Sequence, residues 1–190
     1  MIASPPDKLD SDTKLSAKIE RVVREGFGNN CCVENLRFAT LGGSNRTILF
    51  DVIDKGTVRK LVLRTTSVPA EFTPFLAVPL QFQVLNVVWK HGLPVPEPLF
   101  LLSDAHGLGQ GYIMSAVDGE TLPKHILNKP EFECARGKVI SQTAEILAQL
   151  HSIPAKEFSF LNQVPDSADP LSAQIKYYDG YGQPHPALEY

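Results

Sequence analysis

The sequence of 190 residues has few of the features that mark several protein classes. Its three cysteines, Cys31, Cys32 and Cys134, show no C-x-x-C spacing, which argues against a zinc site and favours free thiols in a reducing cytoplasm. No apolar run is long enough for a transmembrane helix, and the first residues lack the basic and apolar regions of a secretory signal. The net charge of −3 gives no electrostatic reason to expect nucleic acid or an acidic membrane. We therefore expect a cytoplasmic protein with neither partner.

The residues that are present have the balance of a globular domain, with 43% hydrophobic and 21% charged side chains. Their periodicity changes along the chain between the helical and the strand repeat. It predicts a disordered leader over 1–12, helices over 13–25, 79–91 and 131–151, and strands over 33–40, 46–53, 58–65, 99–103 and 111–116. The turn Asp54-Lys55-Gly56 indicates a hairpin between the second and third strands.

The order β-β-β-α-β-β, followed by helices, predicts an α+β fold rather than a doubly wound sheet. The break in the pattern at Val117–Gly119 suggests one unit over 13–117 and a helical unit over 118–190. The long helix should bury one face against the rest of the chain. That predicted face consists of Val139, Ile140, Thr143, Ala144, Leu147 and Leu150.

Five segments then occur in a characteristic order. They are Leu41-Gly-Gly-Ser-Asn-Arg-Thr47, Leu61-Val-Leu-Arg64, His91-Gly-Leu-Pro-Val-Pro-Glu-Pro98, Tyr112-Ile-Met-Ser-Ala-Val-Asp-Gly-Glu-Thr-Leu122 and Leu147-Ala-Gln-Leu-His-Ser152. Together they resemble the aminoglycoside phosphotransferase and choline kinase family, relatives of the protein kinases, and most of all its branch associated with acyl-CoA dehydrogenases. The resemblance implies a protein-kinase-like N-lobe, with a five-stranded antiparallel sheet and a helix, followed by the first helices of a C-lobe. It also implies transfer of the γ-phosphate of a nucleotide to a hydroxyl group of a small molecule.

The glycine-rich turn between the first two strands is the first candidate phosphate contact. Glycine has no side chain, so the backbone N–H groups of Gly42, Gly43 and Ser44, with Asn45 beside them, could approach phosphate oxygens closely. An ordinary hairpin turn would explain the same residues equally well.

Arg64 is the second candidate contact, because the resemblance places there the cation that holds the nucleotide phosphates. A guanidinium group is permanently charged and can bind phosphate oxygens in a bidentate manner. A surface ion pair is the alternative role for this arginine. The family pairs this cation with a glutamate on the following helix, and the matching position here is Gln81, which supplies no charge; Glu71 is the nearby acidic alternative.

Ser115, Ala116 and Val117 match the linker between the two lobes, where the resemblance implies that backbone groups bind the adenine ring. An inner strand that ends at a turn fits these residues as well.

The glycines of Gly107-Leu-Gly-Gln-Gly111 precede a predicted strand, so we interpret them as a hairpin loop rather than a dinucleotide-binding fingerprint. The five histidines show no metal-binding spacing.

Phosphoryl transfer also needs a carboxylate that orients the acceptor and side chains that hold Mg²⁺. The family supplies them from a His-Gly-Asp…Asn loop that follows the long helix, and residues 152–190 contain no such loop. The resemblance therefore implies ATP or GTP with Mg²⁺, metal ligands and catalytic residues beyond residue 190, and a fragment that exposes apolar surface and self-associates. Two alternatives stay open: a degenerate kinase-like module that binds a nucleotide or partner without catalysis, and an interaction domain without a nucleotide site.

Overall fold

The computed structural model describes residues 8–39, 45–66 and 76–161, with backbone only for 8–12 and 45. Four α-helices and five β-strands make up these parts of the chain. They are α1 (Lys8–Phe27), β1 (Cys32–Phe38), β2 (Asn45–Asp54), β3 (Thr57–Thr66), α2 (Val78–Lys90), β4 (Pro98–Leu101), β5 (Gly111–Ser115), α3 (Pro123–Asn128) and α4 (Glu133–Ser152). Short 3₁₀ segments span Asp104–His106, Pro130–Phe132 and Ala155–Leu161.

The predicted order of strands and helices is confirmed, and every predicted strand is present. One boundary is wrong: α1 begins at Lys8, five residues before the predicted start at Thr13, so the predicted disordered leader over 1–12 overlaps the helix. The sequence from Lys8 to Glu25 contains neither glycine nor proline, so nothing in it stops the helix from extending towards its N-terminus.

The five strands form one sheet in the order β1-β2-β3-β5-β4, and all of the pairs are antiparallel. Side chains of alternate residues lie on opposite faces of this sheet. One face packs against α1 and forms the main core, whose fully buried members include Ile19, Val22, Val23, Ile48, Phe50, Leu61, Leu63 and Ile113. The other face carries the side chains of residues such as Arg64 and Tyr112, which are cross-strand partners.

The two-residue turn between β2 and β3 fixes the register of these strands. They pair residue by residue, from Asp54 opposite Thr57 to Asn45 opposite Thr66. Its turn residues, Lys55 and Gly56, both have positive φ, at 48° and 82°. This backbone suits the right-handed twist of two paired strands, and glycine adopts it without strain. The predicted turn is therefore confirmed.

A second, smaller core joins α2 to the end of α4. Val88, Leu93 and Ile153 are buried there, and Leu85, Leu150 and Phe158 pack around them. Two polar contacts support the same junction: the Gln149 side-chain amide donates to the His91 carbonyl at 3.0 Å, and His91 Nε2 lies 3.0 Å from Glu157 Oε2. The helical segment after the sheet is thus attached to the sheet unit through α2.

The predicted burial of α4 is wrong for this chain. Val139, Ile140, Thr143, Ala144 and Leu147 are all exposed, and only Leu150 is half-buried. The apolar stripe exists, but no described element covers it, because a periodic pattern indicates which side of a helix is apolar and not what packs on it. Among the described residues, no helix is both long and apolar enough to cross a bilayer.

Candidate functional site

Arg64 lies inside the sheet rather than at its margin. Its strand, β3, is flanked by β2 and β5, and its direct cross-strand partners are Thr47 and Tyr112. Leu63 and Thr65, its neighbours in sequence, are buried on the α1 side, so the half-buried Arg64 side chain points to the opposite face. A central strand is a rigid support for the base of this side chain.

The Tyr112 hydroxyl group holds the Arg64 guanidinium. Arg64 Nη1 donates to Tyr112 Oη at 3.1 Å. Tyr112 is only 4% exposed, and its ring packs at a tilt against Phe82 of α2, with 5.7 Å between the ring centroids. The phenol cannot swing away from this position without disturbing that contact, so α2 fixes the cation indirectly through an aromatic pair.

Gln81 does not make the contact with Arg64 that its position in the sequence suggests. Its side-chain amide donates instead to the carbonyl of Leu76, just before α2 begins. Within the described residues, no carboxylate lies within ion-pair distance of Arg64. Glu71, the acidic alternative, lies outside the described residues.

The predicted phosphate loop can be placed only by its flanks. Gly42, Gly43 and Ser44 lie outside the described residues, whereas Asn45 begins β2 and pairs with Thr66. The Ala39 amide donates to the Thr47 carbonyl at 2.9 Å, so β1 and β2 stay paired up to this loop. Because Thr47 is also the partner of Arg64, the loop joins the sheet at the end where the guanidinium lies. A shared cleft for the loop and Arg64 stays a prediction.

The three residues of the predicted adenine-binding linker differ in how many of their polar groups have a hydrogen-bond partner. The Ser115 hydroxyl accepts from the Glu97 amide at 2.8 Å, and the Ala116 amide donates to the Lys60 carbonyl at 2.9 Å. Val117 is 70% exposed, and among the described residues its backbone groups have no hydrogen-bond partner. A backbone donor that already has a partner is a poor ligand-binding group. Of the three, Val117 is the one whose backbone N–H and carbonyl are both without a partner among the described residues.

Glu120 organises the chain just beyond the linker. Its Oε1 accepts hydrogen bonds from the amides of Thr121 and Leu122, both at 2.9 Å, and its Oε2 lies 2.7 Å from His125 Nδ1. The backbone bond from Leu122, and after it the bond with His125, holds the pKa of the Glu120 carboxyl below its usual value of 4.5. The carboxylate thereby fixes the start of α3.

Sequence reasoning missed two residues of this region, Tyr112 and Glu120. Tyr112 occurs in a quoted segment, but its role depends on the β3–β5 register, which the sequence does not reveal. The spacing from Glu120 to Thr121, Leu122 and His125 is a local signal that could have been found. No group of three or more His, Cys, Asp or Glu side chains suited to a metal ion occurs in the described parts of the chain.

Comparison with known proteins shows what the chain is similar to. The sequence model of the phosphotransferase enzyme family matches residues 35–185. The probable acyl-CoA dehydrogenase IBR3 of Arabidopsis thaliana is 33% identical in an alignment over 115 residues that covers 58% of this chain and 14% of that protein. The crystal structure of aminoglycoside phosphotransferase APH(4)-Ia overlaps 73% of this chain and 40% of its own, with 21% identity and a TM-score of 0.43. The chain therefore spans well under half the length of either protein.

Proposed function

Because the chain belongs to the phosphotransferase enzyme family, we propose that it forms the nucleotide-binding part of an ATP- or GTP-dependent kinase that acts on a hydroxyl group of a small molecule. The position of Arg64 is the observation that carries this proposal. A cation on a central strand, held by Tyr112 on the face opposite α1, suits the oxygens of a nucleotide triphosphate. The identity of the phosphate acceptor is a separate question, because family membership alone does not specify it.

Each candidate residue then has a role in the proposal. Arg64 and the backbone N–H groups of Gly42–Asn45 bind phosphate oxygens, while Mg²⁺ arrives with the nucleotide. Val117 supplies backbone groups to the base, and Ser115 and Ala116 keep the linker attached to β4 and β3. The sequence has no His-Gly-Asp tripeptide, so this chain by itself should not transfer phosphate.

A second candidate function is a degenerate module that binds a nucleotide without catalysis. One observation favours it: Arg64 has no carboxylate partner among the described residues, and Gln81 bonds to Leu76 instead. A counter-charge normally helps to hold this cation in its catalytic position. Nucleotide binding is common to both candidates, so binding is the property to test first.

The test is nucleotide-dependent stabilisation of the full chain against heat. At about 100 times its dissociation constant, MgATP or MgGTP should stabilise the fold by about 2.7 kcal/mol. Arg64→Ala should greatly reduce that shift. The matched control is Arg59→Ala, which removes an arginine from the same strand on the opposite face, where it lies over the Phe27 ring. No shift at millimolar nucleotide, or an equal shift in Arg64→Ala, would contradict the proposal.

The organisation of the chain supports three further parts of the proposal. We place the boundary between the lobes at Val117–Asp118, with the predicted N-lobe of 13–117 extended to include all of α1 and with 118–190 as the start of the C-lobe, because the sheet ends at Ser115. The exposed apolar side of α4 leads us to propose that the chain self-associates. The three free thiols are consistent with a cytoplasmic location.

A further inference from the structure

A cavity of about 350 Å³ lies on the α1 face of the sheet, between α1, strands β2 and β3, and the loop that precedes β5. Three cationic side chains line it: Lys14 and Lys18 from α1, one helical turn apart, and Arg46 from β2. None of the described residues that line the cavity is acidic. Lys18 and Arg46 carry like charges at one opening and repel one another, and a bound anion would relieve that repulsion.

The Lys18 and Arg46 side chains are held in place. Lys18 Nζ donates to the Gly107 carbonyl at 2.8 Å, and the Arg46 guanidinium lies over the Phe38 ring, 4.9 Å from its centroid. Each contact restrains a long side chain. Neither contact uses all of the N–H donors of the ammonium or guanidinium group. Cations that are already ordered lose less conformational entropy when an anion binds.

The loop that carries Gly107 is itself fixed to α1 by His106, which is only 7% exposed. The Ser103 amide donates to His106 Nδ1 at 2.8 Å, so in the neutral ring Nε2 carries the proton, and it faces Glu25 Oε2 on α1 at 3.2 Å. This side of the cavity is therefore tied to α1 by hydrogen bonds.

Part of the cavity lining is apolar. It comes from Ile48 and Leu63, which belong to the main core, and from the half-buried Leu15 and Leu108. A bare inorganic ion would leave the apolar walls exposed to water, whereas a ligand with an apolar body would cover them. The volume is at the lower end of the range for small-molecule sites.

This cavity is separate from the proposed nucleotide site. Arg46 pairs with Thr65 and Ile48 pairs with Leu63, and all four lie on the α1 face, whereas Arg64 lies on the other face. The sheet itself separates the two positions. A nucleotide bound at Arg64 cannot contact Lys18 or Arg46 through it.

We propose that this cavity is a binding site for a small soluble amphipathic anion, in which a carboxylate or phosphate group contacts Lys18 and Arg46 and an apolar body covers Leu15 and Leu108. The proposal does not depend on nucleotide binding at Arg64.

The test is calorimetric titration of the full chain with octanoate, octyl phosphate, octanol and inorganic phosphate. Either amphipathic anion should bind about tenfold more tightly than octanol or inorganic phosphate, and the better one identifies the head group. Lys18→Gln and Arg46→Gln should each weaken anion binding about five- to tenfold. Lys138→Gln, which removes an exposed cation of α4, should leave it unchanged, and so should Arg64→Ala.

Two results would overturn the proposal. One is equal affinity for octanol and octanoate, which would indicate adsorption to apolar surface such as that of α4. The other is unchanged anion binding in both Lys18→Gln and Arg46→Gln. Both side chains are on the surface and glutamine keeps much of their length, and circular dichroism of each variant establishes that it folds. Arg64→Ala should weaken nucleotide binding and leave anion binding unchanged, so the two sites are tested separately.

Discussion

At the scale of single residues, Arg64 and Tyr112 are separated by 48 positions in sequence and meet because β3 and β5 pair in one register. The contact replaces the expected one from α2, since Gln81 bonds to Leu76. A phenol differs from a glutamate in one important respect: it positions the guanidinium without neutralising it. The full positive charge of Arg64 therefore stays available to an anionic ligand.

Tyr112→Phe tests this positioning role. Phenylalanine keeps the ring contact with Phe82 and removes only the hydrogen bond, so the fold should lose about 0.5–1.5 kcal/mol at most. Nucleotide affinity, measured by titration, should fall about fivefold because the guanidinium is no longer held. Gln81→Ala is the matched control and should change affinity far less. If Gln81→Ala weakens binding as much as Tyr112→Phe does, α2 positions the cation directly and the tyrosine does not.

At the scale of elements, α3 is a helix of six residues with no side-chain cap of the usual kind at Leu122. Glu120 accepts from the Thr121 and Leu122 amides, which immediately precede the helix, and His125 then fixes the carboxylate from within the helix. So short a helix is marginal without such support. The direction in which the chain leaves the linker thus depends on one ionised side chain.

The Glu120 cap should respond to acid. Its pKa is lowered on folding, so its contribution is fully present above the unfolded value of about 4.5 and is lost as the pH falls through the lower folded value. An NMR titration of the Glu120 carboxyl should therefore have its midpoint below 4.5. The amide signals of Thr121 and Leu122 should shift with the same midpoint, and this shift should be absent in Glu120→Gln. A midpoint at or above the ordinary value would show that the cap does not form in solution.

At the scale of the whole molecule, the two halves of the described chain differ in how completely their apolar side chains are buried. The sheet unit buries its apolar residues between α1 and the strands, whereas the apolar contacts of α4 lie near its C-terminal end and Arg136 near its start hydrogen-bonds to the Ile126 and Lys129 carbonyls. The middle of α4 leaves Val139 54%, Ile140 83% and Leu147 48% exposed. An uncovered apolar helix face of this kind is normally part of an interface.

We therefore expect this chain of 20.9 kDa to associate through α4. Light scattering should give a mass above that of the monomer, and Ile140→Lys with Leu147→Lys should restore the monomer, because charges on that face oppose its burial. Val58→Lys is the matched control, since it changes an equally exposed apolar residue at the far hairpin of the sheet and should not affect the mass. A wild-type chain that is monomeric at high concentration would refute the expectation.

The sequence by itself determined the order of the elements, the hairpin turn at Lys55 and Gly56, the apolar faces of α1 and α2, and the family resemblance, because periodicity and turn chemistry are local properties of the chain. It also identified Arg64 as the candidate phosphate-binding cation. The tertiary structure alone decided that Tyr112 rather than Gln81 holds Arg64, and that Lys18 and Arg46 line one cavity. It alone showed that α4 lies uncovered. Register and packing join residues that are distant in sequence, and no local pattern records which ones will meet.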